Sequence, residues 1–226
     1  FLGLRRRVLP ASPAELVFLA VLVLFPIGYA VLSKAVLFDG MRHFLFVLPP
    51  IAVAAGLALA TLRELLAAAW PRRALNAALG LYLAYHASIM VRLHPDEYVY
   101  YNALAGGVPG AADRFLLDYW ANSYGEAVQG LEHWLQKHEK GGARHRYRVA
   151  VCGPPGSAVP FFPKNLVYEE NRDRADFYIA FTRNGCHRSI AGKTVYRVER
   201  LDTVLSVVLD LRGRNGPAVS SKAPPP

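Results

Sequence analysis

The sequence predicts a membrane α-helical fold with three transmembrane helices, followed by a small α/β domain. Two observations carry this. Residues 16–32, 44–62 and 74–91 are apolar runs with no Asp, Glu, Lys or Arg inside, each close to the roughly 20 residues that cross a bilayer's hydrocarbon core. From Arg92 onward, charged residues are spread through short helical and alternating patterns of the kind found in water-soluble domains. The expected organisation is a transmembrane region at 1–92, an α/β domain at 93–212 and a disordered tail at 213–226.

Average composition hides this division. The 226 residues are 53% hydrophobic with a formal charge of +9, and a basic soluble protein would suggest nucleic acid as partner. Here the cations and the apolar residues are segregated, so the expected partner is membrane lipid and no nucleic acid. Arg5, Arg6 and Arg7 precede the first run, and Arg63, Arg72 and Arg73 lie between the second and third. The loop between the first two holds only Lys34 and Arg42. The positive-inside rule then puts the chain start and the 63–73 loop in the cytoplasm, and residue 92 onward outside. The first run is long for a signal peptide and lacks a small-x-small cleavage site, so it reads as a true span. Phe rather than Met at position 1 suggests the C-terminal portion of a longer protein. The third run is the weakest, because Asn76, His86 and Ser88 interrupt it.

Each element can be justified in order. Between the first two spans, Asp39, Arg42 and His43 sit just before the second run, and Pro49 and Pro50 fall within it. An Arg there can meet a lipid phosphate with its planar fork of donors. The prolines are expected to distort or break the helix, which lipid tolerates only where freed backbone groups find protein or water. A snorkelling Arg paired with Asp39, beside a kink made for packing, fits the same residues. Tyr98, Tyr100 and Tyr101 suit the water–lipid boundary. Residues 112–120 suggest a short helix. Ser123-Tyr124-Gly125-Glu126 has the form of a capping box, opening a helix to about His138 with Ala127, Leu131, Trp134 and Leu135 on one face. Residues 147–152, 177–181 and 194–198 read as strands, and 203–211 as a strand or a short helix. Helix followed by strands suggests a small α/β layer.

Other polar groups are candidates for chemistry. His94, Asp96 and Glu97 are close together, but their spacing fits no standard metal set. Asp118, Tyr119 and Trp120 offer aromatic faces beside a carboxylate, suited to an acceptor sugar or equally to core packing. His86 suits an interhelical hydrogen bond. Cys152 and Cys186 lie in the exported part, where a disulfide is permitted; two buried free thiols fit equally well. The Cys152–Ser157 stretch lacks the Gly spacing and the Lys of a phosphate loop.

Arg42-His43-Phe44-Leu45 followed by Leu48-Pro49-Pro50 resembles an Arg-aromatic-x-x-x-Leu-Pro-x-x-Pro element of bacterial family 39 glycosyltransferases, with His43 where Tyr is common. The run His94-Pro95-Asp96-Glu97-Tyr98-Val99-Tyr100-Tyr101-Asn102 is similar to the C-terminal module of one branch of that family. Gly106-Gly107, Gly110-Ala111, Phe115, Asp118-Tyr119-Trp120, Ser123-Tyr124, Glu126-Ala127, Cys186 and Val195-Tyr196-x-Val198-Glu199-Arg200 continue the similarity. Together these cover about residues 36–211. The resemblance implies the type C, protein O-mannosyltransferase-like architecture at the bacterial inner membrane, multi-pass, with the C-terminal domain periplasmic. It implies transfer of a sugar from a polyprenyl-phosphate sugar donor to a glycan, lipid or protein acceptor. The catalytic acids, acting as base or as partner of a divalent metal, are expected in a loop upstream of residue 1, so none is expected in this chain. Arg42, with Lys34 and His43, would bind the lipid phosphate, and Asp39 would orient Arg42. His94, Glu97, Asp118, Tyr119 and Trp120 are the acceptor-binding candidates. Two further readings use the same sequence: a non-catalytic membrane-anchored module binding glycan or protein, and part of a transporter with Pro-broken spans.

Overall fold

The structure, a computed structural model, describes residues 11–37, 41–112, 114–139 and 145–213. It divides into two compact units between Ala87 and Ser88.

The first unit is built from helices α1 (Pro13–Leu32), α2 (Leu48–Leu65) and most of α3 (Ala69–Leu93). Among the described residues, three helical segments are long and apolar enough to cross a membrane: Pro13–Leu32, Arg42–Leu65 and Ala69–Leu93. Ser12 caps α1 in a capping box with Glu15, satisfying two orphan amides at the helix start. The sequence reading had placed its capping box elsewhere. Where α1 ends, Ala35 N donates to Ala30 O across a left-handed Lys34, a helix-closing turn usually made with Gly.

Pro49 and Pro50 do not break the second span. Residues Met41–Val47 form a 3-10 helix, and the prolines occupy the first turn of α2 that follows. A first-turn residue needs no amide donor, so proline is tolerated there and marks the change from 3-10 to α winding. α1 packs against both the 3-10 segment and α2. Ala20, Ala54 and Ala58 line the α1–α2 groove, small side chains of the kind that let membrane helices approach closely. Arg72 and Arg73, read from sequence as loop residues, lie in the first turns of α3.

The second unit holds α4 (Gly107–Ala111), α5 (Tyr124–His138) and five strands: β1 (Tyr147–Val151), β2 (Leu166–Tyr168), β3 (Phe177–Phe181), β4 (Lys193–Arg200) and β5 (Thr203–Asp210). The sheet order is β2-β1-β3-β5-β4. β1 pairs in parallel with β2 and β3, while β5 pairs antiparallel with β3 and β4. Residues 203–210 are therefore a strand. β2 has only three residues, too short to leave a period in the sequence. The helix expected at 112–120 is replaced by turns, with the short α4 before them.

Alternation along the strands sorts the core. Phe177, Ile179 and Phe181 of β3, with Val208 of β5 and Val198 of β4, join Ala127, Val128, Leu131 and Leu135 of α5 in one buried cluster. Tyr178, Ala180, Val207 and Leu209 face the other side, beside Ile190 and Leu211. All five residues of β3 are buried, as expected of a central strand covered on both faces. A Cβ on Gly130 would overlap the Tyr196 ring, so glycine is what lets α5 lie this close to β4.

The last turn of α3 belongs to this unit as well. Leu93 is buried with Val99, Val108, Ala111, Leu117 and Leu205 in a third cluster. Cys152, just after β1, is joined by a disulfide to Cys186, beyond β3.

Candidate functional site

The segment that links α3 to α5 carries most of the sequence-predicted polar residues. Asp118 is the centre. Its carboxylate accepts from Tyr98 Oη, from Ser123 Oγ and from the Asn122 amide at 2.8 Å. Ser123 Oγ in turn lies 2.7 Å from Ser206 Oγ on β5. This explains two departures from the sequence reading. The Tyr119 amide returns to the Leu117 carbonyl and the Ala121 amide to the Asp118 carbonyl, tight turns that the Asp118 side chain pins by accepting the Asn122 amide. Ser123, committed to Asp118, makes no capping bond to α5.

A second half of the network surrounds Asp96, which is 0% exposed. Asn122 Nδ2 donates to its Oδ1 at 2.8 Å, and Arg200 Nη2 sits 2.9 Å from its Oδ2. The same Arg200 reaches Glu126 at 2.5 Å and donates through Nε to the Leu93 carbonyl at 3.3 Å. Arg200 thus ties the end of α3, the start of α5 and the end of β4 to one guanidinium. A buried carboxylate is sustained only by such pairing.

Electrostatics follow from burial. Burial pushes the Asp118 carboxyl above its ordinary range, against the pull of the Ser123, Tyr98 and Asn122 donors. Burial, reinforced by the Asp118 charge, pushes the Tyr98 phenol up. The hydrogen bonds these groups share hold the shape of the segment.

The acceptor candidates therefore separate. Asp118 is buried and its oxygens are occupied by donors, so it does not sit open beside the aromatic faces. Tyr119 and Trp120 do form a ring platform: Tyr119 lies edge-on to Tyr98 at 6.0 Å and tilted against Trp120 at 4.9 Å, and Trp120 is 58% exposed. His94 is exposed, Glu97 is half-buried, and the two pair at 2.7 Å, with the Glu97 backbone amide and His94 holding the Glu97 carboxyl below its usual range. Among the described residues, no group of three or more His, Cys, Asp or Glu side chains is placed to hold a metal ion.

In the first unit, Arg42 and His43 lie in the first turn of the 3-10 helix, Arg42 exposed and His43 half-buried, and Lys34 is exposed in the turn closing α1. Asp39 lies outside the described residues, as do Arg5, Arg6, Arg7 and the tail from 214 on. The sequence reading missed Arg200 and Glu126 as network members and Tyr124 as a structural bridge. Tyr124 Oη accepts from the Phe181 amide at 3.0 Å and donates to the Cys152 carbonyl at 2.8 Å, inserting itself where β1 and β3 diverge.

Fold and site together define a membrane-associated chain: three span-length apolar helices and a mixed five-stranded sheet domain. Compared with protein-family models, with curated proteins and with solved structures, the chain matches none.

Proposed function

We propose that the chain is the C-terminal part of an integral-membrane glycosyltransferase, moving a sugar from a polyprenyl phosphate carrier to an acceptor at the outer face of the bacterial inner membrane. The observation that carries the reading is the two-part resemblance set on this architecture: Arg42 to Pro50 leading into the second membrane helix, and the run from His94 to Glu126 directly after the third. On this reading Arg42 presents its fork to the carrier phosphate, whose charge grows as the glycosidic bond breaks, an electrostatic role. Lys34 and His43 add donors, and Asp39 orients Arg42. The residues that carry this second part of the resemblance include Asp96, Tyr98, Asp118, Ser123 and Glu126, with Arg200 farther along the chain, and all are members of the one polar network. Their task is to clamp the sheet domain to the segment leaving the membrane, and the open Tyr119–Trp120 rings are left to meet a sugar face.

A second reading has its own support. Asp96, Asp118 and Glu126 are all engaged by neighbours, which suits a non-catalytic anchored module that binds glycan or protein. One assay separates the two. In the protein as encoded by its gene, supplied with a polyprenyl-phosphate sugar, Arg42→Ala abolishes transfer while membrane insertion persists, and Arg42→Lys restores part of it. Unaltered turnover in the alanine variant removes Arg42 from the chemistry, and no turnover by the parent protein favours the binding module.

A further inference from the structure

We propose that the open cleft on the sheet face opposite α5 is a binding site for a phosphate ester. The site lies wholly within the second unit and does not depend on the glycosyltransferase reading.

The geometry starts from a bulge. Side chains along a strand alternate, so Thr194 and Arg197, three residues apart, should point to opposite faces. The register between β4 and β5 shifts between Thr194 and Tyr196, and an extra residue there reverses the alternation. Thr194 then pairs with Leu209 and Arg197 with Val207, while Tyr196 and Val198 pair with Val208 and Ser206. Arg197 is thereby brought onto the face that α5 does not cover, over an apolar floor of Val207 and Leu209. One end of that face is closed by the cluster around Leu93 and Leu205, the other by Ile190 and Leu211. Between them lies a cleft of about 750 Å³, within the size range of small-ligand sites.

Among the described residues, its walls carry four arginines, Arg114, Arg183, Arg188 and Arg197, and one aspartate, Asp202. Two of the four are held from behind. Arg114 donates to the Gly110 carbonyl at 3.0 Å and the Ala105 carbonyl at 2.5 Å, and Arg183 to the Tyr119 carbonyl at 3.4 Å. Arg188 and Arg197 are exposed. Like charges gathered in one concave site repel one another until an anion enters, and a concave site focuses that field. The wall bearing Arg183 and Arg188 begins directly after β3, which runs parallel to β1. The crevice beyond the carboxyl ends of parallel strands is where α/β sheets commonly take ligands. His187 also lines the cleft, and its Nδ1 is buried with no hydrogen-bond partner. Burial, with Arg188 beside it, holds its imidazole below the usual range against a hydrogen bond with the Phe181 backbone, and an anion bound among the arginines favours its protonated form. A phosphate monoester matches this set better than a carboxylate, because its second charge and third oxygen engage more than one guanidinium fork.

The test is a calorimetric titration of glucose 6-phosphate into the full chain, held in phosphatidylcholine nanodiscs at low salt. Binding is expected, with methyl glucoside silent. Arg188→Gln and Arg197→Gln should each weaken it by roughly tenfold, the value of a charge-assisted hydrogen bond. Arg146→Gln removes the same charge outside the cleft and should leave affinity unchanged. Ligand should also move the His187 titration to higher pH by NMR. Repeating the titration in nanodiscs with phosphatidic acid assigns the source. Loss of glucose 6-phosphate binding there makes the ligand a lipid headgroup, and retention makes it a soluble ester. No binding in phosphatidylcholine overturns the proposal, and so does equal weakening by Arg146→Gln. Amide exchange of β3 verifies that each variant is folded.

Discussion

The first unit wears its apolar side chains outside; the second encloses them. Phe18, Phe25 and Leu81 are each more than 60% exposed, whereas Phe177, Ile179 and Leu205 of the sheet domain are fully buried. The difference shows what each unit requires of its solvent. Helices satisfy their own backbone hydrogen bonds, so in lipid they can present apolar faces with few tertiary contacts. In water the same side chains have to be removed from solvent, and the sheet domain does so with three clusters locked by ion pairs and a disulfide. Specificity in the second unit is therefore concentrated in a few polar groups, and removing them should hurt far more than equivalent changes among the helices.

Arg200 gives the largest expected effect. Arg200→Ala leaves Asp96 buried without its cation, a loss on the order of 3–5 kcal/mol. Amide exchange of β3 and β5 in detergent-solubilised chain measures it. Arg63→Ala, at the exposed end of α2, should stay within about 0.5 kcal/mol. Equal effects from the two arginines would break the contrast between the units.

The disulfide comes next. Cys152 and Cys186 are 34 residues apart, and opening a loop of that length costs about 3–4 kcal/mol by the chain-entropy account. The double variant Cys152→Ser, Cys186→Ser should raise exchange throughout the sheet and leave the α1 and α2 amides unchanged. Faster exchange in α1 and α2 would mean that the units share their stability rather than holding it separately.

The sequence disclosed the parts whose signal is local. Three charge-free runs announced the helices, and the short aromatic and β-branched FYIAF of β3 marked a strand with its bounds intact. The α5 face was visible because Ala127, Leu131 and Leu135 repeat at helical spacing. What stayed hidden was non-local. Arg200 meets Glu126 across 74 residues and Ser123 meets Ser206 across 83, and no period in the chain records such meetings. Ser123-Tyr124-Gly125-Glu126 carried the letters of a capping box, but both of its polar ends had stronger partners elsewhere. The box that forms is at Ser12, beside Pro13 at the start of α1. The Thr194–Tyr196 bulge is likewise silent in sequence, so Arg197 gave no sign of joining Arg183 and Arg188 at one cleft.

The smallest expected effect is a slope with pH, and it tests whether burial or hydrogen bonding governs the network. Burial is the larger influence on Asp118 and raises its folded pKa above the ordinary 3.8. The native state then holds that proton more tightly than the unfolded chain does. The group's contribution to stability is full below the unfolded pKa and is lost as pH climbs through the raised folded value. Asp118→Asn removes this titration. The stability of the parent protein minus that of Asp118→Asn should therefore grow as pH falls from 7 toward 4, read from exchange of the β5 amides near Ser206. If the difference shrinks on acidification, the Tyr98, Ser123 and Asn122 donors outweigh burial and the carboxylate is stabilised in place. The sheet domain would then resemble an ordinary surface-charged fold at this point, and the contrast with the helical unit would rest on Arg200 and the disulfide alone.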